Sequence, residues 1–229
     1  MRSRALLLLV ALAVIAMAST GASAQDVPTI FLYVNDHTVG GTLFYDEIAE
    51  IEAICLEVDA RTGAEIAILL VNTTQPVGID TFAVEVFEAN GIGKVNLDNG
   101  VLLVVATDEG DWRIEVGYGL EGILNDAKVG RIGRETLSPN LTAGDVYSGI
   151  YGATLAVGQE IVDTYDGGNP GRDPQLFVID WGAVAIAVAV FVGVAILTKG
   201  RAVIWLGNFW KRGGFGGGRS GGGGARGRF

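Results

Sequence analysis

The chain has 229 residues, 26 acidic side chains against 16 basic ones, and one cysteine. Its net charge of −10 argues against nucleic acid as a partner for the folded part, and a lone thiol excludes an internal disulfide. The average hides a division: every acid falls between Asp26 and Asp180, a region with seven basic residues and a net −19, while the segment after Thr198 carries +7.

In chain order, residues 1–24 come first, with Arg2 and Arg4, an apolar run from Ala5 to Ala18, and Ala22-Ser23-Ala24. This is the layout of a secretory signal peptide, with cleavage expected before Gln25. The domain is expected over 25–166. A strand at Ile30–Val34 is the weakest of its elements. Leu43–Arg61 has helical periodicity and stops at Thr62-Gly63, and Cys55 falls on its apolar stripe with Phe44, Ile48, Ile51 and Val58. Cys55 therefore reads as a core thiol.

Glu65–Val71 is almost continuously apolar, as a strand covered on both faces should be. Asp80–Asn90 follows as an amphipathic helix closed by Gly91-Ile92-Gly93. Gly100–Ala106 is a second buried strand, Asp108-Glu109-Gly110 a turn, and Trp112–Val116 an alternating strand that completes a hairpin. Asp126–Leu137 and Asp145–Thr164 read as helices, each capped by its leading aspartate. The order predicts a three-layer α/β sandwich with a mixed sheet, a parallel pair extended by an antiparallel hairpin.

Beyond a linker at 167–176, Trp181–Thr198 has eighteen uncharged residues, and 177–198 is expected to be one transmembrane helix. Lys199, Arg201, Lys211 and Arg212 follow it, whereas Asp173 and Asp180 precede it. That asymmetry places the domain outside the cell membrane and the tail, 199–229, in the cytoplasm. Gly213–Phe229 holds ten glycines with Arg219, Arg226 and Arg228. It is expected to be disordered, a solvated topology anchor, with anionic lipid or RNA contact as the other reading.

Within the domain, Gly117-Tyr118-Gly119-Leu120-Glu121-Gly122 spells the G-x-G-x-x-G of dinucleotide sites. A nucleotide is not expected here. No strand follows the next helices to complete a βαβ unit, no acid stands about twenty positions on, and Glu121 would repel a pyrophosphate. The hairpin instead returns Gly117–Glu121 to the bend at Asp98-Asn99-Gly100. Asp98, Asn99, Glu121 and Asp126 then form a candidate site for a hard cation, Ca²⁺ or Mg²⁺. Purely structural roles, in a turn and a helix cap, are the competing reading.

Several blocks resemble the TPM domain family. They are Val34-Asn35-Asp36, Thr62-Gly63, Gly91-Ile92-Gly93-Lys94, Asn99-Gly100-Val101-Leu102-Leu103, Arg113-Ile114-Glu115-Val116-Gly117-Tyr118-Gly119-Leu120-Glu121-Gly122 and Leu124-Asn125-Asp126. The resemblance runs from Val34 to Thr164, with local departures at His37–Thr42 and Asn125, both expected near the acidic site. It implies an α/β sandwich with an acidic, calcium-capable edge, and a motif or partner surface at Asp36, Arg113, Glu115, Gly117, Tyr118 and Gly119. It also implies one of two functions. The first is a membrane-anchored accessory or maintenance factor that binds a membrane-protein complex. The second is a metal-dependent acid phosphatase acting on phosphomonoesters. No cysteinyl-phosphate loop and no histidine pair is present, since His37 is the only histidine, so an enzyme would need metal to activate water. Arg113, on a strand, reads as a structural cation before a phosphate ligand.

Overall fold

The computed structural model describes residues 27–165 and 215–229. The expected signal peptide, linker and transmembrane helix (1–24, 167–176 and 177–198) lie outside the described residues. Among the described residues no helix is long and apolar enough to cross a membrane.

The elements are β1 (Val34–Asp36), α1 (Tyr45–Thr62), β2 (Glu65–Val71), α2 (Ile79–Asn90), β3 (Gly100–Ala106), β4 (Asp111–Gly117), α3 (Asp126–Ile132), a π turn (Gly133–Leu137), α4 (Ser138–Thr142), α5 (Val146–Thr164) and β5 (Ser220–Arg228). The strands lie in sequence order in one sheet, with β1, β2 and β3 parallel and β4 and β5 antiparallel to their neighbours. The mixed α/β sandwich is thus as the sequence suggests, and β2 and β3 keep the expected bounds.

Alternation along the strands divides the core. Ala67, Leu69, Leu102 and Val104 face α2, where Phe82, Val86 and Phe87 cover them. Ile66, Ile68, Leu103, Ile114 and Val116 face α1 and α5, which bring Ile51, Cys55, Val58, Ile150 and Ile161. Each large side chain buried in this way contributes about 1.5–3 kcal/mol. Cys55 is fully buried, and desolvation pushes its thiol pKa up, as fits a packing residue.

Three boundaries differ from the sequence reading. The strand expected at Ile30–Val34 forms at Val34–Asp36, in register with Ile68–Leu70. The first helix starts at Tyr45 because the N–H groups of Thr42 and Leu43 are held by Asp36 Oδ2, with Leu43 at 2.8 Å. The helix expected over Asp126–Leu137 gives way to the π turn at Gly133. That glycine lies against the Trp112 indole, where a Cβ would come within 2.0 Å of the ring. Its cap is Asn125, whose side chain accepts from Lys128 N at 3.1 Å, and not Asp126; Asp145 caps α5 as expected, through Ser148 N at 3.0 Å.

The tail is the main correction. Disorder was expected from its glycine content, yet Ser220–Arg228 is β5, paired with β4 from Asp111↔Arg228 to Gly117↔Ser220. Glycine depletes strands because it has no side chain to pack, but here β4 supplies both the ladder and the packing surface. Hydrogen bonds cannot bridge a bilayer core about 30 Å thick. This pairing and a tail across a membrane from its own domain therefore exclude each other in one molecule.

Asp36 generates a prediction. Burial alone would raise its pKa, but bonds from the Thr38 hydroxyl and the Leu43, Thr38 and Thr42 amides hold it below the ordinary aspartate value. A depressed folded value means stability that is present above the unfolded pKa and lost as pH falls through the folded one. Asp36→Asn should therefore cost about 2 kcal/mol at neutral pH. In urea melts the gap from wild type should narrow as pH falls from the ordinary aspartate value of about 3.9 through the lower folded one; a gap that persists unchanged would show that the charge of Asp36 is not what holds this loop.

Candidate functional site

β3 leaves the bend at Asp98-Asn99, and β4 returns to it at Gly117. Asp98 lies at φ 47°, in the left-handed region. Gly119 N donates to Asp98 O at 3.0 Å. The approach leaves no room for side chains: a Cβ on Gly117 would lie 2.2 Å from Asp98 O, and one on Gly119 would lie 1.9 Å from Leu97 O. The first two glycines of the G-x-G-x-x-G string are thus explained by backbone packing. Gly122 faces open space.

The four proposed cation ligands do not form one cage. Asn99 is fully buried and used at both ends: its Oδ1 accepts from Lys94 N at 2.8 Å and its Nδ2 donates to Gly63 O at 3.0 Å. Asp98 Oδ1 accepts from Arg219 N at 2.9 Å, and Asp126 Oδ1 from Gly224 N at 2.9 Å. Glu121 rests against Gly223, where a Cβ would lie 2.5 Å from its Oε1. Glu121, Asn125 and Asp126 share an open groove with Gly221–Gly223. Among the described residues no group of three or more His, Cys, Asp or Glu side chains is placed to hold a metal ion. The donor set does not fit a Ca²⁺ or Mg²⁺ site in this arrangement.

Asp36 stands apart from the rest. Its register opposite Leu70 puts it at the carboxyl end of β2, whereas Asp98 and Gly117 meet at the amino ends of β2 and β3. The His37–Thr42 loop accompanies Asp36, with His37 N donating to Leu70 O at 2.9 Å. Its departure from the family pattern therefore does not touch the acidic rim, contrary to expectation; Asn125 does lie there.

On the α2 face of β4, Arg113 bonds Glu115 Oε2 through Nε at 3.0 Å and a terminal nitrogen at 2.6 Å, and reaches Asp80 at 3.3 Å. The arginine's structural role holds, with Glu115 itself as the partner. Glu115 is fully buried. Burial pushes its carboxyl pKa up, against opposing bonds from Ser220 and Arg113. Two buried charges need further hydrogen bonds to offset desolvation. β5 supplies them: Ser220 Oγ donates to Glu115 Oε1, and Gly222 O accepts from Arg113 at 2.8 Å. Tyr118 is exposed beside Gly221.

Sequence reasoning missed a second feature at the same end of the sheet. A cavity of 290 Å³ is lined by Phe31, Leu32, Tyr33, Glu65, Lys94 and Phe215, with Asp59 on its wall. Lys94 pairs with Glu65, and with Asp59 at 3.3 Å, while Tyr33 donates to Asp59 at 2.7 Å. Burial works against the Lys94 charge, but Glu65 and Asp59 raise its pKa overall. The one available signal was Glu65, an acid opening an otherwise apolar strand.

The glycine contacts are testable. Gly119→Ala should cost about 1–3 kcal/mol through overpacking against Leu97 O, while Gly122→Ala stays near wild type. Equal urea midpoints for the two variants would show that the turn does not require the close approach.

Comparison with known proteins agrees with this architecture. Among curated proteins none matches. Two solved structures share the fold. The first is the N-terminal domain of a protein from P. gingivalis, at 24% identity and TM-score 0.53, over 59% of this chain and 85% of that one. The second is the BA42 protein from Bizionia argentinensis, at 19% identity and TM-score 0.50, over 56% of this chain and 86% of that one. The TPM domain profile matches residues 34–160, more than half of the sequence. The chain belongs to the TPM domain family.

Proposed function

We propose that this protein is a membrane-anchored accessory factor whose extracytoplasmic TPM domain binds a membrane-protein partner and is not itself a hydrolase. The observation that carries the reading is the engagement of the rim. Asp98 takes the Arg219 N–H just before β5, Asp126 takes the Gly224 N–H within it, Asn99 is tied into the backbone, and Arg113 is committed to Glu115. A phosphatase needs groups aimed at a phosphoryl oxygen and at an attacking water. Each of these side chains has a polar atom committed to structure. An acidic surface with an edge that accepts extended backbone is instead suited to protein recognition. The amino-terminal segment is the proposed export signal, and the apolar segment at 177–198 is the proposed anchor, held to the domain's side of the bilayer so that the tail stays in the domain's compartment.

The test uses the full chain in detergent, with an aryl phosphate as substrate and Ca²⁺ or Mg²⁺ supplied. Turnover should match that of the Asp98→Ala/Asp126→Ala double variant and should not respond to EDTA. Hydrolysis that EDTA abolishes and the double variant lacks would replace this reading with a metal-dependent phosphatase. Added protease on intact cells should reach the domain; protection until the cells are lysed would refute the extracytoplasmic placement.

A further inference from the structure

The tail does more than extend the sheet. Phe215 meets Tyr33 edge-on, with ring centroids 6.0 Å apart, at the cavity beside Lys94. Gly217 N donates to Gly91 O at 2.5 Å, and Gly218 N to Gly93 O at 2.7 Å, so the chain follows the Gly91–Lys94 loop. Arg219 reaches Asp98, and Ser220 fills the remaining bond of Glu115. Along β4, Arg226 pairs with Asp80 at 2.6 Å and Arg228 with Asp111 at 2.9 Å. Phe229 packs against the α1–α5 core cluster.

Residue size matches the seat as closely as charge does. A Cβ on Gly221 would lie 2.0 Å from the Tyr118 hydroxyl, one on Gly224 would lie 1.9 Å from Ile114 O, and one on Gly227 would lie 2.4 Å from the Trp112 ring. A low-complexity glycine tract has no reason to place serine opposite a buried glutamate, arginines opposite aspartates and glycines over aromatic rings. That pattern is a ligand's complement to a binding surface.

We infer that Phe215–Phe229 is a tethered strand ligand of the chain's own TPM domain, seated along the β4 edge and the Tyr33–Lys94 cavity, where it closes the acidic rim. This goes beyond the accessory reading and does not depend on it, since the seat is defined by the tail's own contacts. The seated strand takes up the edge backbone groups of β4 and the carboxylates of Asp98 and Asp126 together. Whatever binds the rim must displace it. Seating also requires tail and domain to face the same compartment.

A cross-strand disulfide reads this directly. Asp111 and Arg228 are register partners next to the Gly110–Phe229 pair, where Phe229 N donates to Gly110 O at 2.8 Å. Such flanking pairs hold side chains close enough to bridge. Cys55 is buried and does not compete. In membranes from cells making the full-length Asp111→Cys/Arg228→Cys chain, oxidation should give an intramolecular disulfide, seen as a faster-migrating monomer that reductant reverses. Adding Gly227→Val should abolish it, because the valine would strike Trp112. Two free thiols in the unblocked chain would overturn the proposal, and so would a disulfide-linked dimer, which would assign the strand to a second copy. A cross-link that survives Gly227→Val would also count against it. Hydrogen exchange provides a check free of engineered cysteines: Asp111–Gly117 amides should exchange faster in Gly227→Val while Glu65–Val71 stays protected, and no change at β4 would overturn the seating.

Discussion

The close approach of the Gly117–Gly119 turn to the Leu97 and Asp98 carbonyls organises this end of the molecule. It needs two residues without side chains, since either Cβ would fall inside contact distance of a backbone oxygen. Once it forms, β4 is held in register with β3, and Asp98 is turned to where the tail enters. The face bearing Arg113 and Glu115 is placed under α2. The glycine string that resembles a nucleotide loop is a packing device between two bends.

Electrostatics then decides what that face can do. An arginine and a fully buried glutamate two residues apart on one strand would be costly if left to each other alone. Ser220 and the Gly222 carbonyl complete their hydrogen bonds, so the last strand is joined to the domain by polar satisfaction as well as by its ladder. Of the carboxylates expected to share a cation, Asp98 holds the Arg219 amide just before that strand and Asp126 the Gly224 amide within it.

Much of the fold was legible because its signals are local. Glu65–Val71 and Gly100–Ala106 are apolar on both faces, a pattern that only a strand packed on two sides sustains, and Asp108-Glu109-Gly110 marks a reversal. The meeting of the Asp98 bend with Gly117 followed from the hairpin alone. Errors arose where a distant group overrode a local preference. Asp36 captured the amides before α1, and Trp112 displaced the helix at Gly133. The tail's composition spoke for disorder because glycine has no strand propensity of its own; the complementary surface lies more than a hundred residues away.

The sequence by itself determined the layers, the parallel pair and hairpin, the core thiol and the family blocks, since periodicity and turn chemistry act between neighbours. Tertiary structure alone decided which oxygens are free. Asn99 is a cation ligand by residue type, yet Lys94 N and Gly63 O occupy both ends of its amide, and one oxygen of Asp98 accepts from Arg219 N. A carboxylate's chemistry is written in its side chain, but its availability depends on which backbone groups the fold brings within about 3 Å of it.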